Sequence, residues 1–86
     1  MEVIEIKIRK IVTAVTGLPT DVSADANLYL DLGVASVCAL QLLSELELQF
    51  QTSIPDDDFV EATTISSLIS MMRHLTQEIA DESAHA

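Results

Sequence analysis

The chain has 86 residues, a net charge of −10, 49% hydrophobic residues and only 3% aromatic residues. These values predict one small folded domain with an aliphatic core. The 14 acidic residues outnumber the 4 basic residues. This charge disfavours nucleic acid and anionic membranes as partners and favours a basic protein surface. The single cysteine, Cys38, excludes an internal disulfide and a cysteine-based structural metal site. Without a membrane-spanning apolar run or a secretory signal pattern, the sequence predicts a soluble, cytoplasmic domain, which we expect to be a monomer.

The first apolar segment, residues 2–16, fits two patterns. From Ile4 to Arg9, apolar and charged residues alternate as in a strand, but the alternation stops at Lys10. An apolar stripe at helical spacing continues through the whole segment, so we predict a helix that ends at Gly17, with Ile6 on its polar side. The predicted buried stripe consists of Ile4, Ile8, Ile11, Val12 and Val15.

Three further helices are predicted, over residues 36–51, 56–61 and 65–80. Pro55 suits the start of the short one, and either Thr63 or Thr64 could cap the last one. We predict an all-α four-helix bundle of three longer helices and one short helix, with a domain over residues 1–80 and a flexible acidic tail over residues 81–86. The predicted buried stripes are Ala39, Leu42, Leu43, Leu46 and Phe50 in the second helix, and Ile65, Leu68, Ile69, Met72, Leu75 and Ile79 in the last.

The loop over residues 18–35 is long for a domain of this size, and loops of this length are usually functional or disordered. Its many apolar residues predict that it packs over one end of the bundle and leads into the second helix at Ser36. Those apolar residues are Ala26, Leu28, Tyr29, Leu30, Leu32 and Val34.

Few residues could support catalysis. The only histidines, His74 and His85, have no predicted route to Ser36 or Cys38, so no base is available to activate a nucleophile. The consecutive acids Asp56–Asp58 fan outward instead of converging, and they lack the spacing of a calcium-binding loop. We therefore predict no catalytic residue and no metal site.

The junction Asp31-Leu32-Gly33-Val34-Ala35-Ser36-Val37 places a serine where a loop meets a helix. On this local pattern Ser36 is either a helix N-cap, for which serine is well suited, or a site where the helix dipole and free N–H groups favour an anion.

This junction resembles the phosphopantetheine attachment motif of acyl carrier proteins, which is usually Asp-Leu-Gly-x-Asp-Ser-Leu. The resemblance continues over residues 42–50, the segment Ile54-Pro55-Asp56-Asp57 and the segment Thr63-Thr64-Ile65. It implies a four-helix bundle in which a phosphopantetheinyl transferase attaches 4′-phosphopantetheine from coenzyme A to Ser36, using Mg²⁺.

The resemblance also implies a role without autonomous catalysis. The arm's thiol would hold an acyl or aminoacyl group as a thioester and deliver it to loading and transferring enzymes. The pathway would be a specialised one, in fatty acid, polyketide, non-ribosomal peptide or aminoacyl metabolism. Candidates to line a gap for the acyl chain are Leu46, Ile54 and Ile69, for which ordinary core packing is the alternative.

The sequence departs from the family pattern at three places. Ala35 replaces the usual acid before the serine, and the exposed face of the second helix carries few acids, so we expect dedicated partners that use apolar anchors. Cys38 lies near the attachment point, but no nearby base would stabilise its thiolate. Two alternatives remain, an unmodified helical adaptor with the same fold and a small hydrolase that uses Ser36 or Cys38. The predicted partner face consists of Val37, Gln41, Glu45 and Leu48.

Overall fold

The computed structural model describes the backbone of residues 3–85 and the side chains of residues 3–76. The described backbone contains four helices and no strand, which confirms the predicted all-α architecture. In chain order the helices are α1 (Val3–Thr16), α2 (Ser36–Phe50), α3 (Asp56–Glu61) and α4 (Ile65–His85). Helix α1 packs against α2 and α4, and α3 packs against α4. None of the helices in the described chain is long and apolar enough to cross a bilayer.

Two predicted helix ends differ from the structure. Helix α2 ends at Phe50 because Gln51 adopts the left-handed conformation (φ 53°) that terminates many helices. Helix α4 continues to His85 instead of ending at Ala80, since no glycine or proline follows Pro55 to stop it. The flexibility of residues 81–86 stays a prediction, because their side chains and the backbone of residue 86 lie outside the described part.

The burial of α1 decides between its two sequence patterns. Ile8 and Val12 are almost fully buried, whereas Ile6, which a strand would place with them, is 38% exposed. The helical spacing was therefore the correct interpretation, and the predicted stripes of α2 and α4 face the same core. The stripe of α4 also includes Met71, which was not predicted, while the side chain of Ile79 lies outside the described residues. The buried core consists of Ile8, Ile11, Val12, Leu28, Leu42, Leu46, Ile54, Phe59, Ala62, Ile65, Leu68, Ile69, Met71 and Met72.

The long loop over residues 18–35, called loop one below, packs onto the bundle as predicted. Arg9 of α1 donates from Nη1 to the carbonyl oxygens of Thr20 and Val22, each at 2.8 Å. Leu28 is fully buried, and its N–H donates to Thr63 O at 2.8 Å, just before α4. Loop one is therefore attached to both α1 and the α3–α4 junction.

Side-chain oxygens organise the chain around α3. Glu47 Oε2 accepts the N–H of Ile54 at 2.8 Å, which closes the connection between α2 and α3. Thr64 Oγ1 accepts the N–H of Ser67 at 3.0 Å, and Ser67 Oγ accepts the N–H of Thr64 at 2.9 Å. Thr64, the second of the two threonines considered from the sequence, is therefore the cap of α4.

Candidate functional site

Ser36 is the first residue of α2 and its side chain is exposed. The N-cap is Ala35, in an extended conformation with φ −73° and ψ 147°, and no side chain caps the helix. Ser36 therefore does not act as the N-cap, which was one of the two interpretations of the local pattern. No described residue forms a hydrogen bond with its hydroxyl group, so the oxygen is free to react at the positive end of α2.

The approach to Ser36 is set by backbone geometry. Gly33 has a φ of 71°, a left-handed conformation that other residues adopt at a cost. Val34 then donates its N–H to Leu28 O at 2.9 Å, which ties the chain before the serine to the buried part of loop one. These two features explain why the local sequence brings the serine to the surface at the end of the loop.

A groove of about 250 Å³ lies beside Ser36. Three separate parts of the chain form it, because Tyr29 comes from loop one, Ala39 from α2, and Phe59 and Val60 from α3. Burial raises the pKa of the Tyr29 phenol above its ordinary value. The groove therefore combines an apolar wall with hydroxyl groups, and its lining is Tyr29, Ser36, Ala39, Phe59, Val60 and Thr63.

The three candidates for lining an acyl-chain gap do not border this groove. Leu46, Ile54 and Ile69 are buried members of the core, with exposures of 0%, 5% and 9%. Sequence reasoning missed Tyr29, Phe59 and Val60. Of these three residues, only Tyr29 could have been identified from the sequence, because it is a polar aromatic residue in an otherwise aliphatic loop.

The predicted partner face lies on the surface of α2. Val37 and Leu48 are 66% and 68% exposed, Gln41 is exposed and Glu45 is half-buried. Leu40, which the sequence reasoning did not include, is also 68% exposed. The outer surface of α2 is therefore more apolar than that of an ordinary surface helix.

Two further candidates from the sequence are Cys38 and His74, whereas the side chain of His85 lies outside the described residues. Cys38 is a free, half-buried thiol, and His74 is exposed on α4. Neither lines the groove beside Ser36. The described residues contain no group of histidine, cysteine or acidic side chains that could hold a metal ion.

Comparisons with known proteins agree with this geometry. The family model described as a phosphopantetheine attachment site matches residues 7–72. Citrinin polyketide synthases from Monascus ruber and Monascus purpureus are 29% identical over 69 residues, which cover 80% of this chain and 3% of theirs. This chain thus spans a very small part of those relatives.

A solved structure from Mycobacterium tuberculosis, described as that of an acyl carrier protein, superposes with a TM-score of 0.75. It is 24% identical in sequence, and the match covers 81% of this chain and 95% of that one. At this identity the comparison shows a shared fold.

The residues present fit the prosthetic group of the matched family. An exposed serine oxygen without an intramolecular hydrogen bond can form a phosphate ester, and the uncapped start of α2 stabilises the negative charge of that ester. The match over more than half of the chain, the shared fold and the exposed hydroxyl lead to one conclusion. The chain belongs to the family of phosphopantetheine-attachment carrier domains, whose 4′-phosphopantetheine is covalently attached.

Proposed function

We propose that Ser36 is the attachment residue and that the chain carries acyl or aminoacyl groups between biosynthetic enzymes. The observation that carries this proposal is the exposed Ser36 hydroxyl, which lies inside the matched region and has no hydrogen-bond partner among the described residues. When bound, the prosthetic group supplies a terminal thiol that holds cargo as a thioester.

Attachment requires activation from outside the chain. The groove beside Ser36 contains no histidine, carboxylate or amine that could remove the hydroxyl proton. A phosphopantetheinyl transferase would take that proton while the serine oxygen attacks the β-phosphorus of coenzyme A. The new oxygen–phosphorus bond replaces the bond to the α-phosphate, and an adenosine bisphosphate leaves. We therefore propose that the chain itself catalyses no reaction.

The residues that line the groove have a proposed role after the prosthetic group is attached to Ser36. Phe59 and Val60 present an apolar wall, and the hydroxyl groups of Tyr29 and Thr63 can donate to carbonyl oxygens. We propose that the arm and its cargo lie against this groove between deliveries. Leu46, Ile54 and Ile69 remain candidates only if the core opens, because all of them are buried.

The pathway is proposed from the relatives and from the surface. Similarity to the polyketide synthases supports a polyketide-type cargo, ahead of fatty acid, non-ribosomal peptide and aminoacyl cargo. Loading and transferring enzymes would dock on the predicted partner face of α2, with Val37 and Leu48 as apolar anchors. The basic residues Lys7 and Lys10 lie on α1, so a basic partner surface would approach away from that helix. We propose that the chain performs this function in the cytoplasm.

Attachment is tested by incubating the purified chain with coenzyme A, Mg²⁺ and a broad-specificity transferase. We expect the intact mass to rise by one phosphopantetheine group, and the Ser36→Ala variant to show no increase. Ser44→Ala is the matched control, because Ser44 is another exposed serine of α2 and its removal should not affect labelling.

An unlabelled chain beside a labelled control carrier would contradict the proposal. The unmodified-adaptor alternative predicts, in addition, that protein from the native host has the mass of the bare chain. If Ser36 is modified in the host, mass spectrometry of the groups released from the thiol by hydroxylamine identifies the cargo class.

A further inference from the structure

Asn27 closes the turn that precedes α2 through five hydrogen bonds. Its side-chain Oδ1 accepts the N–H groups of Tyr29 and Leu30, both at 2.9 Å. Its backbone N–H donates to Asp31 Oδ2 at 2.9 Å, and its carbonyl oxygen accepts the N–H groups of Asp31 and Leu32 at 2.9 and 3.1 Å. We call these five bonds the Asn27 clasp. A short side-chain acceptor such as asparagine suits this arrangement because it reaches backbone donors two and three residues ahead.

The clasp holds Tyr29, which lines the groove beside Ser36, and it directly precedes Leu28, which bonds to two neighbouring segments of the chain. Leu28 is fully buried, its N–H donates to Thr63 O at 2.8 Å, and its carbonyl oxygen accepts the N–H of Val34 at 2.9 Å. Tyr29 and Thr63 both line the groove beside Ser36. Asn27 itself does not line the groove, so any effect on Ser36 must pass through its neighbours.

The start of α2 depends on these backbone contacts because it has no side-chain cap. Ala35 offers no acceptor, and Gly33 adds backbone freedom. Among the described residues, the bond from Val34 to Leu28 is the only hydrogen bond that joins residues 33–35 to earlier parts of loop one. Leu28 therefore ties the residues just before the serine to the buried part of loop one.

We propose that Asn27 is a positioning residue for attachment of the prosthetic group to Ser36, acting through Leu28 and Val34. This inference rests on the proposed function of Ser36. A transferase needs the serine oxygen in line with the phosphorus it attacks, and a small displacement of a reacting group can cost one to two orders of magnitude in rate. The partner face on α2 does not include the clasp, so binding of the transferase should change little.

The test compares transferase kinetics on the wild-type chain and the Asn27→Ala variant, with coenzyme A and Mg²⁺, at a temperature where both are folded. We expect kcat for modification to fall about tenfold. The KM for the carrier should stay within about twofold, because its docking surface is unchanged. Asn27→Ser should restore most of the rate, since a serine hydroxyl accepts the same turn N–H groups.

A matched control separates positioning from a general loss of stability. Thr16 Oγ1 accepts the N–H of Leu18 at 3.2 Å, so Thr16→Ala removes a similar bond at the other end of loop one. We expect this variant to be modified at the wild-type rate. Tyr29 is the only tyrosine and the chain has no tryptophan, so intrinsic fluorescence of the unmodified protein reports on the groove wall. It should change in Asn27→Ala and not in Thr16→Ala.

The possible results distinguish failure of the proposed carrier function from failure of the positioning role of Asn27. If the wild-type chain is not modified at all, the proposed function fails and this inference fails with it. If the wild type is modified but Asn27→Ala retains its kcat, or Thr16→Ala loses as much, the positioning role is overturned while the carrier function stands. If Asn27→Ala does not fold, the Asp31→Ala variant takes its place. It removes one bond of the clasp at an exposed residue, and the proposal requires that it lowers kcat.

Discussion

Ala35 occupies the N-cap of α2 in the extended conformation that N-caps adopt, but its methyl group cannot accept a hydrogen bond. The N–H groups of Ser36 and Val37 are therefore left to water or to a ligand, whereas that of Cys38 donates to Ala35 O at 2.9 Å. The proposed phosphate ester on the adjacent Ser36 would supply both an acceptor and a negative charge at this position. Ala35, which departs from the family motif, thus leaves the unmodified start of α2 without a side-chain cap, and the proposed modification would contribute correspondingly more to the stability of α2.

We predict that Ala35→Ser or Ala35→Asn stabilises the unmodified chain by about 1 kcal/mol, because either side chain can accept an N–H of the first turn of α2. For a domain of this size the gain corresponds to an increase in Tm of about 4–8 °C. Thermal unfolding followed by circular dichroism measures it. Ala35→Val is the control, since valine is a poor cap, and it should give no increase. Equal Tm values for the serine, asparagine and valine variants would contradict the role assigned to this position.

Loop one behaves as a fifth packing element of the bundle, although it contains no helix. It places Leu28 in the core, accepts two hydrogen bonds from Arg9 near its start, and donates one from Leu28, in its middle, to Thr63 O. Two residues after Leu28, Leu30 is 86% exposed. Two leucines that are only two residues apart in loop one thus lie in opposite environments, Leu28 in the core and Leu30 in water.

This contrast gives a matched pair of variants. We predict that Leu28→Ala destabilises the chain by about 2–5 kcal/mol, because it leaves a cavity in the core. Leu30→Ala should change the free energy of unfolding by less than about 0.5 kcal/mol, since its side chain is already in water. Urea unfolding of both variants measures the difference. Similar values for the two would show that loop one is not part of the core in solution.

Periodicity was sufficient to predict the helices because each helix buries one face of a regular spacing. The stripes of α1 and α2 were correct, and so were the bounds of α3. The end of α4 was wrong because the prediction followed the loss of an apolar stripe, whereas a helix continues until a residue stops it. Ser36 could be chosen from its local motif. The groove beside it could not, because Tyr29, Ala39 and Phe59 belong to three elements whose packing is not encoded in the spacing of any one of them.

The charge of the whole molecule is strongly one-sided. The net charge is −10, and three of the four basic residues, Lys7, Arg9 and Lys10, lie on α1. Two of them have partners within the chain. Lys7 Nζ donates to Gln49 O at 3.2 Å and lies 4.9 Å from the ring centroid of Phe50, and Arg9 forms an ion pair with Glu5. Over the whole chain the acids outnumber the bases by ten, and their mutual repulsion opposes the compact state.

We therefore predict that sodium chloride stabilises the unmodified chain. At 0.1 M salt the Debye length falls to about 10 Å, so repulsion between acids on opposite sides of this small domain is largely screened. Tm should rise steadily as salt is added at neutral pH. A variant that reverses one exposed acid, Glu61→Lys, lowers the net negative charge and should show a weaker salt dependence and a higher Tm at low salt. A Tm that is independent of salt, or the same slope in both proteins, would mean that local ion pairs rather than net charge determine the electrostatic part of stability.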